Sequence, residues 1–190
     1  SILFGIIIAA ILAIAKSSKN KIFSSFANTW IEISRNTPAL YQIYMAYFGL
    51  GTFGIYVGSF GALLIGITFN NAGYLAEIFR GGLRAIPSTQ MKTARSLGMN
   101  FIQSFIYIIF PQLFRIVFHS IANQTVWAIL MTSLGVIVGM NSDLMGVTNE
   151  LNSLSFRTFE YFLLAAILYY LITKLFLGSA FLINLKLFRY

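Results

Sequence analysis

The chain contains no cysteine. That removes disulfide frameworks, cysteine-ligated zinc and thiol nucleophiles from consideration. Charge is scarce too: Asp, Glu, Lys and Arg together make up 9% of the residues, where a soluble domain carries roughly 25%. Hydrophobic residues reach 58%, mean hydropathy is +0.79, and the aromatic set is 19 Phe, 10 Tyr and 2 Trp. A polytopic membrane protein accommodates this composition, with Trp and Tyr suited to the bilayer interfaces. Catalytic motifs are missing as well. There is no GxxxxGK[ST] phosphate loop, no HExxH and no persuasively spaced Ser-His-Asp set. The expectation is therefore a non-enzyme that holds no cofactor and no metal of its own. The net charge of +8 does not imply nucleic acid, because the cations sit in short loops between apolar runs.

What is present is a series of about five apolar runs, which predicts an all-α fold forming one transmembrane domain over residues 1–190. The first run, 2–15, would extend about 22 Å as a helix against a hydrocarbon core of roughly 30 Å. With no initiator Met and no basic segment before it, it reads as a span that has lost its outer end rather than as a signal peptide. The second run covers 38–50, with a start upstream near Phe26 left open. Thr37 followed by Pro38 suggests an N-cap with proline at the first helical position, or else a kink inside a longer helix. A glycine-rich turn follows at 49–54. The third run covers 57–79. The fourth covers 112–138 with Pro111 marking its start, and the fifth covers 159–177.

Charge asymmetry orients these runs. One side collects Lys16, Lys19, Lys21, Arg35, Arg80, Arg84, Lys92, Arg95, Arg115, Lys174, Lys186 and Arg189; the other holds only Arg157. Short basic loops favour the cytoplasm, so residues 80–115 and the C-terminus are expected there. The segment 141–160, with Asp143, Glu150 and Glu160, is expected outside.

The most informative stretch is the basic, helix-prone insert after the third run. Ser88 is expected to cap a helix over 88–98 and Gly98 to close it. Met91, Ala94 and Leu97 recur every three residues. Lys92 and Arg95 fall toward the C-terminal end, where the helix dipole favours cations. So short a helix is marginal alone in water, so a second protein is expected to bury its apolar stripe. Two further stripes lie within the spans. Gly66, Asn70, Gly73 and Glu77 share one face, where small residues permit close helix approach. Asn70 needs a partner, either a neighbouring helix or a substrate in a polar cavity. Arg115, His119, Asn123 and Trp127 follow each other at intervals of four, and His119 and Asn123 are expected to face the bundle interior.

These features together resemble the permease subunits of polar amino acid ABC importers, the histidine/glutamine/arginine group. Their cytoplasmic signature is Glu-Ala-Ala, three residues, Gly, nine residues, Ile, any residue, Leu-Pro. Here the register falls on Lys92-Thr93-Ala94, Gly98 and Ile108-Ile109-Phe110-Pro111, with Lys92, Thr93 and Phe110 as departures. Arg35-Asn-Thr-Pro-Ala-Leu, Asn70-Asn-Ala-Gly-Tyr-Leu-Ala-Glu and Phe156-Arg-Thr-Phe-Glu-Tyr-Phe162 look like further segments of the group. The resemblance covers about residues 25–180.

It implies a multi-pass protein of the bacterial inner membrane with the type I importer permease fold. Its implied partners are a homologous permease subunit in a homo- or heterodimer, a pair of ABC ATPase subunits that bind ATP and Mg, and a periplasmic or lipid-anchored solute-binding protein. The substrate would be a polar amino acid, with an opine or another small solute as the alternative. Met91, Lys92, Ala94, Arg95, Leu97 and Gly98 would form the coupling helix that docks on the ATPase. Lys92 in place of Glu implies either a compensating acidic residue on that ATPase or a second, different permease that keeps the Glu. Asn70, Asn123, His119 and Asp143 are the candidates for the substrate path.

Overall fold

The surface richest in small residues lies on α4 (Ser59–Ala85), and the other helices are arranged around it. The computed structural model describes residues 1–187, all of whose regular structure is helical. The expected all-α architecture is therefore observed; Arg189 and the C-terminus, placed above on the basic side, lie outside the described residues. In α4, 56% of the most apolar window is buried, against 11% in α9 (Thr158–Leu187). The first is thus the spine of the bundle, and the second lies at its periphery.

Helix α1 (Ile2–Lys16) runs parallel to α4. Thr68 Oγ1 donates to the Ser1 carbonyl at one end, and Lys16 Nζ reaches Glu77 at the other. Their seam is built from Ala9, Leu12, Ala72, Leu75 and Ala76, joined by Ala27 and Ile31 of α2 (Lys21–Asn36). Alanine at these contacts lets the helix axes approach closely, the main source of association where lipid is as apolar as the side chains. A second cluster joins Ile43, Leu63, Ile67, Ala128 and Val138 toward the opposite end.

The second expected span is composite. Asn20 caps α2 through its side chain, and Thr37 closes it with its N–H on the Ile33 carbonyl. Pro38 takes the cap position of α3 (Ala39–Tyr44), so the expected Thr37 cap with proline at the first helical position is shifted by one residue. The chain then passes through a π turn at Met45–Gly49 and a 3₁₀ turn at Leu50–Phe53. The third span runs to Ala85, beyond the expected end at 79.

The fourth expected span starts earlier than Pro111. Helical turns are continuous from Phe101 to Val138: α6 (Phe101–Ser104), a π turn at Phe105–Ile109, α7 (Phe110–Met131) and a 3₁₀ segment at Thr132–Val138. Proline marks a boundary in a sequence because its ring crowds the preceding turn and it lacks an N–H. Here the Phe110 N–H bonds the Phe105 carbonyl, five residues back. The widened turn makes room for the ring, and the helix proceeds. Outside the spans, part of the segment expected as an external loop is α8 (Leu144–Ser155), capped by Asp143.

Substitution at Gly73 tests the α2–α4 approach, since a Cβ there would overlap Ser34 Oγ. Gly73→Ala is expected to lower the stability of the purified protein by about 1–3 kcal/mol. Pairing it with Ser34→Ala, which removes the nearest atom, recovers part of that loss in a thermal-unfolding assay.

Candidate functional site

The basic insert forms α5 (Ser88–Ser96), nine residues between two sharply defined ends. Its N-terminus differs from expectation. Pro87 holds the cap position with φ −57°, Ser88 is the first helical residue, and no side-chain cap bond forms. Its C-terminus is as expected. Gly98 sits at φ +88°, a conformation open to glycine at little cost. Gly98 N–H bonds the Arg95 carbonyl and Met99 N–H bonds the Ala94 carbonyl, the paired closure of a Schellman motif. Two residues on, Asn100 and Gln103 form a reciprocal capping box that starts α6.

The apolar stripe is only partly available to a partner. Ala94 is 4% exposed, and Met91 packs against the cluster of Ile86, Ile109, Leu113 and Val117. Leu97 alone of the three points outward, at 79% exposure. The Gln112 amide bridges the Gln90 side chain and the Ile108 carbonyl, tying α5 to α7. The expectation that a second protein buries the whole stripe is therefore corrected: Met91 and Ala94 fasten the helix to its own bundle. Lys92, Arg95 and Leu97 form its exposed face. The spacing Ala94, Gly98, Ile108, Pro111 also acquires a physical content. These residues are a buried seat, a left-handed turn, a packing contact and a ring accommodated by a π turn.

Asn70 is buried at the break between α2 and α3. Pro38 cannot donate to the Ser34 carbonyl four residues back. Asn70 Nδ2 donates to that oxygen at 3.0 Å, and Gln42 Nε2 donates to it at 2.9 Å. Gln42 also reaches Thr37 Oγ1 at 2.8 Å. The neighbouring-helix option for Asn70 is thus realised, while its Oδ1 stays buried without a partner. Gly66 and Gly73 flank it; a Cβ on Gly66 would stand 2.9 Å from the Ile43 Cα.

One helical turn beyond Gly73, Glu77 gathers three cations. Lys16 Nζ lies 3.0 Å from Oε1, Arg80 forks onto both oxygens, and Arg35 approaches Oε2 at 3.9 Å. The Glu77 side chain is 17% exposed. Its single charge joins the ends of α1 and α2 to α4.

The other predicted path residues do not converge. Arg115, His119, Asn123 and Trp127 do share one face of α7, but all four are exposed on this chain, so the expected inward orientation of His119 and Asn123 is not observed. The buried face of α7 is Leu113, Val117, Ala122, Thr125 and Ala128. His119 Nε2 lies 3.4 Å from Asn184 of α9. Asp143 Oδ1 accepts from Gly146 N–H at 2.7 Å, and Oδ2 is buried without a partner. Gln42, and the Gln124 to Asn71 bond at 2.7 Å, were not anticipated. The first was signalled by the carbonyl that Pro38 strands; nothing in spacing alone marked the second. Among the described residues no cluster of three potential metal ligands occurs.

Comparison with known proteins adds three findings. Residues 1–189 match the family described as binding-protein-dependent transport system inner membrane component. The chain is 32% identical over 172 residues to the probable amino-acid ABC transporter permease protein PatM of Vibrio harveyi, covering 89% of this chain and 77% of that one. It is 28% identical over 183 residues to the nopaline transport system permease protein NocM of Agrobacterium fabrum, covering 91% and 76%. Among solved structures, the crystal structure of an amino acid ABC transporter with histidines superposes with a TM-score of 0.82. That match has 29% identity and covers 97% of this chain and 86% of that one.

Replacing Glu77 by Gln should leave Lys16, Arg35 and Arg80 repelling one another around a neutral side chain. A loss of about 1–3 kcal/mol is expected in unfolding of the purified protein. Added salt should recover part of it by screening the freed cations.

Proposed function

This chain belongs to the family of binding-protein-dependent transport system inner membrane components, and we propose that it is the permease subunit of an ATP-driven importer for a polar amino acid. The observation that carries the reading is the match over nearly the whole chain, with α5 clamped at the signature position. Type I importer architecture, multi-pass residence in the membrane and a transport role without ATP hydrolysis fit the family and the fold. The likeness to PatM and to the amino acid transporter structure supports the substrate class. The likeness to the nopaline permease supports an opine as the second reading.

In this reading two permease subunits, this chain with itself or with a homologue, enclose the path. A periplasmic or lipid-anchored binding protein delivers the solute. ATP and Mg are bound by partner ATPases, and each ATPase receives one α5. The ends of α1, α4, α7 and α9 that carry Lys16, Arg84, Arg115 and Lys186 face the cytoplasm of a bacterium, with residues 141–157 outside. Lys92, Arg95 and Leu97 make the docking face. Met91, Ala94 and the Gln90–Gln112 bond carry its displacement into α7 as a rigid-body movement. Lys92 places a positive charge on that face, so the cognate groove is expected to be acidic there, or the paired permease to differ at this position.

Reversing both charges, Lys92→Glu with Arg95→Glu, is expected to release the ATPase during purification by roughly tenfold while the permease stays folded. Deletion of residues 88–98 should abolish amino-acid-stimulated ATP hydrolysis in proteoliposomes supplied with the binding protein. Full stimulation after deletion would remove the coupling role.

Asn70→Leu should slow uptake of radiolabelled amino acid while the complex still assembles, because Gln42 continues to donate to the Ser34 carbonyl. Unchanged uptake would take Asn70 out of the path.

A further inference from the structure

Two cavities meet at the basic end of the bundle, and their chemistry is complementary. The first, 570 Å³, lies between the end of α1, the end of α4, and α5 with the π turn that follows α6; Ile14, Leu83, Met91, Phe101 and Phe105 give it an apolar wall. The second, 320 Å³, is polar and basic, lined by Lys16, Asn28, Arg80 and Arg84. Ser17 and Leu83 line both, so the two lie side by side with these residues between them.

The charge at the polar mouth is not balanced from within the chain. Glu77 is the carboxylate paired with Lys16, Arg35 and Arg80. Arg84, one turn further along α4, has no carboxylate within ion-pair distance among the described residues. Three cations line the mouth, Lys16, Arg80 and Arg84, against the one carboxylate of Glu77, and the surplus attracts an anion. The adjoining apolar cavity is walled by large hydrophobic side chains and, at 570 Å³, has room for part of a hydrocarbon chain. Its position at the ends of α1 and α4, where the cations cluster, is the interfacial depth at which anionic headgroups lie. A charged mouth and an apolar continuation are the two halves of one amphiphile.

We propose that this double cavity binds a single anionic phospholipid. Its phosphate rests against Arg84, Lys16 and Asn28, and part of one acyl chain passes by Ser17 and Leu83 into the apolar cavity. Met91 and Ser88 of α5 line the apolar half, so the acyl chain fills the space between the insert helix and α1. The lipid thereby becomes a packing element beneath α5. This inference needs only the membrane residence of the chain and does not depend on the solute transported.

The test is native mass spectrometry of the detergent-purified complex offered equal phosphatidylglycerol and phosphatidylcholine. Wild type is expected to retain one phosphatidylglycerol per copy of this chain and little phosphatidylcholine. Arg84→Gln removes one interfacial cation and should weaken retention about fivefold. Ser17→Trp adds bulk between the two cavities without touching charge and should also release the lipid, whereas Leu163→Trp, on the exposed face of α9, should not. Equal retention of both lipids would overturn the proposal, as would phosphatidylglycerol bound undiminished by both Arg84→Gln and Ser17→Trp. Inorganic phosphate that displaced the lipid completely at millimolar concentration would assign the site to a free anion and would overturn it too.

Discussion

The Ser34 carbonyl, left without its helical donor by Pro38, is the constraint on which the centre of the bundle depends. In a hydrocarbon environment such an oxygen has no water to turn to, and leaving it bare costs several kcal/mol. The chain answers with two amides from different elements, Gln42 of α3 and Asn70 of α4. Asn70 reaches it from α4 because Gly66 and Gly73 let α3 and α2 come against the α4 backbone. The break in the second span, the glycines of the third and the buried amides are one solution to one problem. Glu77 repeats the logic further along α4 with charge, drawing the ends of α1 and α2 to a single carboxylate.

Membrane character, the closing Gly98 and the small-residue face of α4 were legible in the amino-acid sequence. Each rests on a local property: apolar length, a residue that tolerates positive φ, or side chains too small to hold helices apart. Pro38 and Pro111 were harder. Proline states that a backbone bond is missing but not how the chain responds. At Pro38 the helix stops and side chains fill in; at Pro111 a π turn lets it run on. The orientation of Met91 and Ala94 is not legible in the sequence for a related reason. Periodicity identifies a stripe without identifying what lies beneath it, and Ile109 and Leu113 come from beyond the next turn of the chain.

The same limit explains the polar stripe on α7. Spacing placed Arg115, His119, Asn123 and Trp127 correctly on one face, but the single chain buries the opposite face. Polar groups at that depth are costly against lipid. In a permease pair that face is available to line an aqueous path or meet a second subunit, and interior-facing would then describe the assembly rather than the chain.

The π turn at Phe105–Ile109 has an effect on phase. It holds one residue more than an α turn would, and one residue corresponds to about 100° of rotation about a helix axis. Leu113 and Val117 meet Gly82 because that angular offset has been introduced upstream of them. Chain length between α5 and α7 therefore acts as a dial: a deletion of one residue there would turn the packed face of α7 aside, although no contact residue had changed.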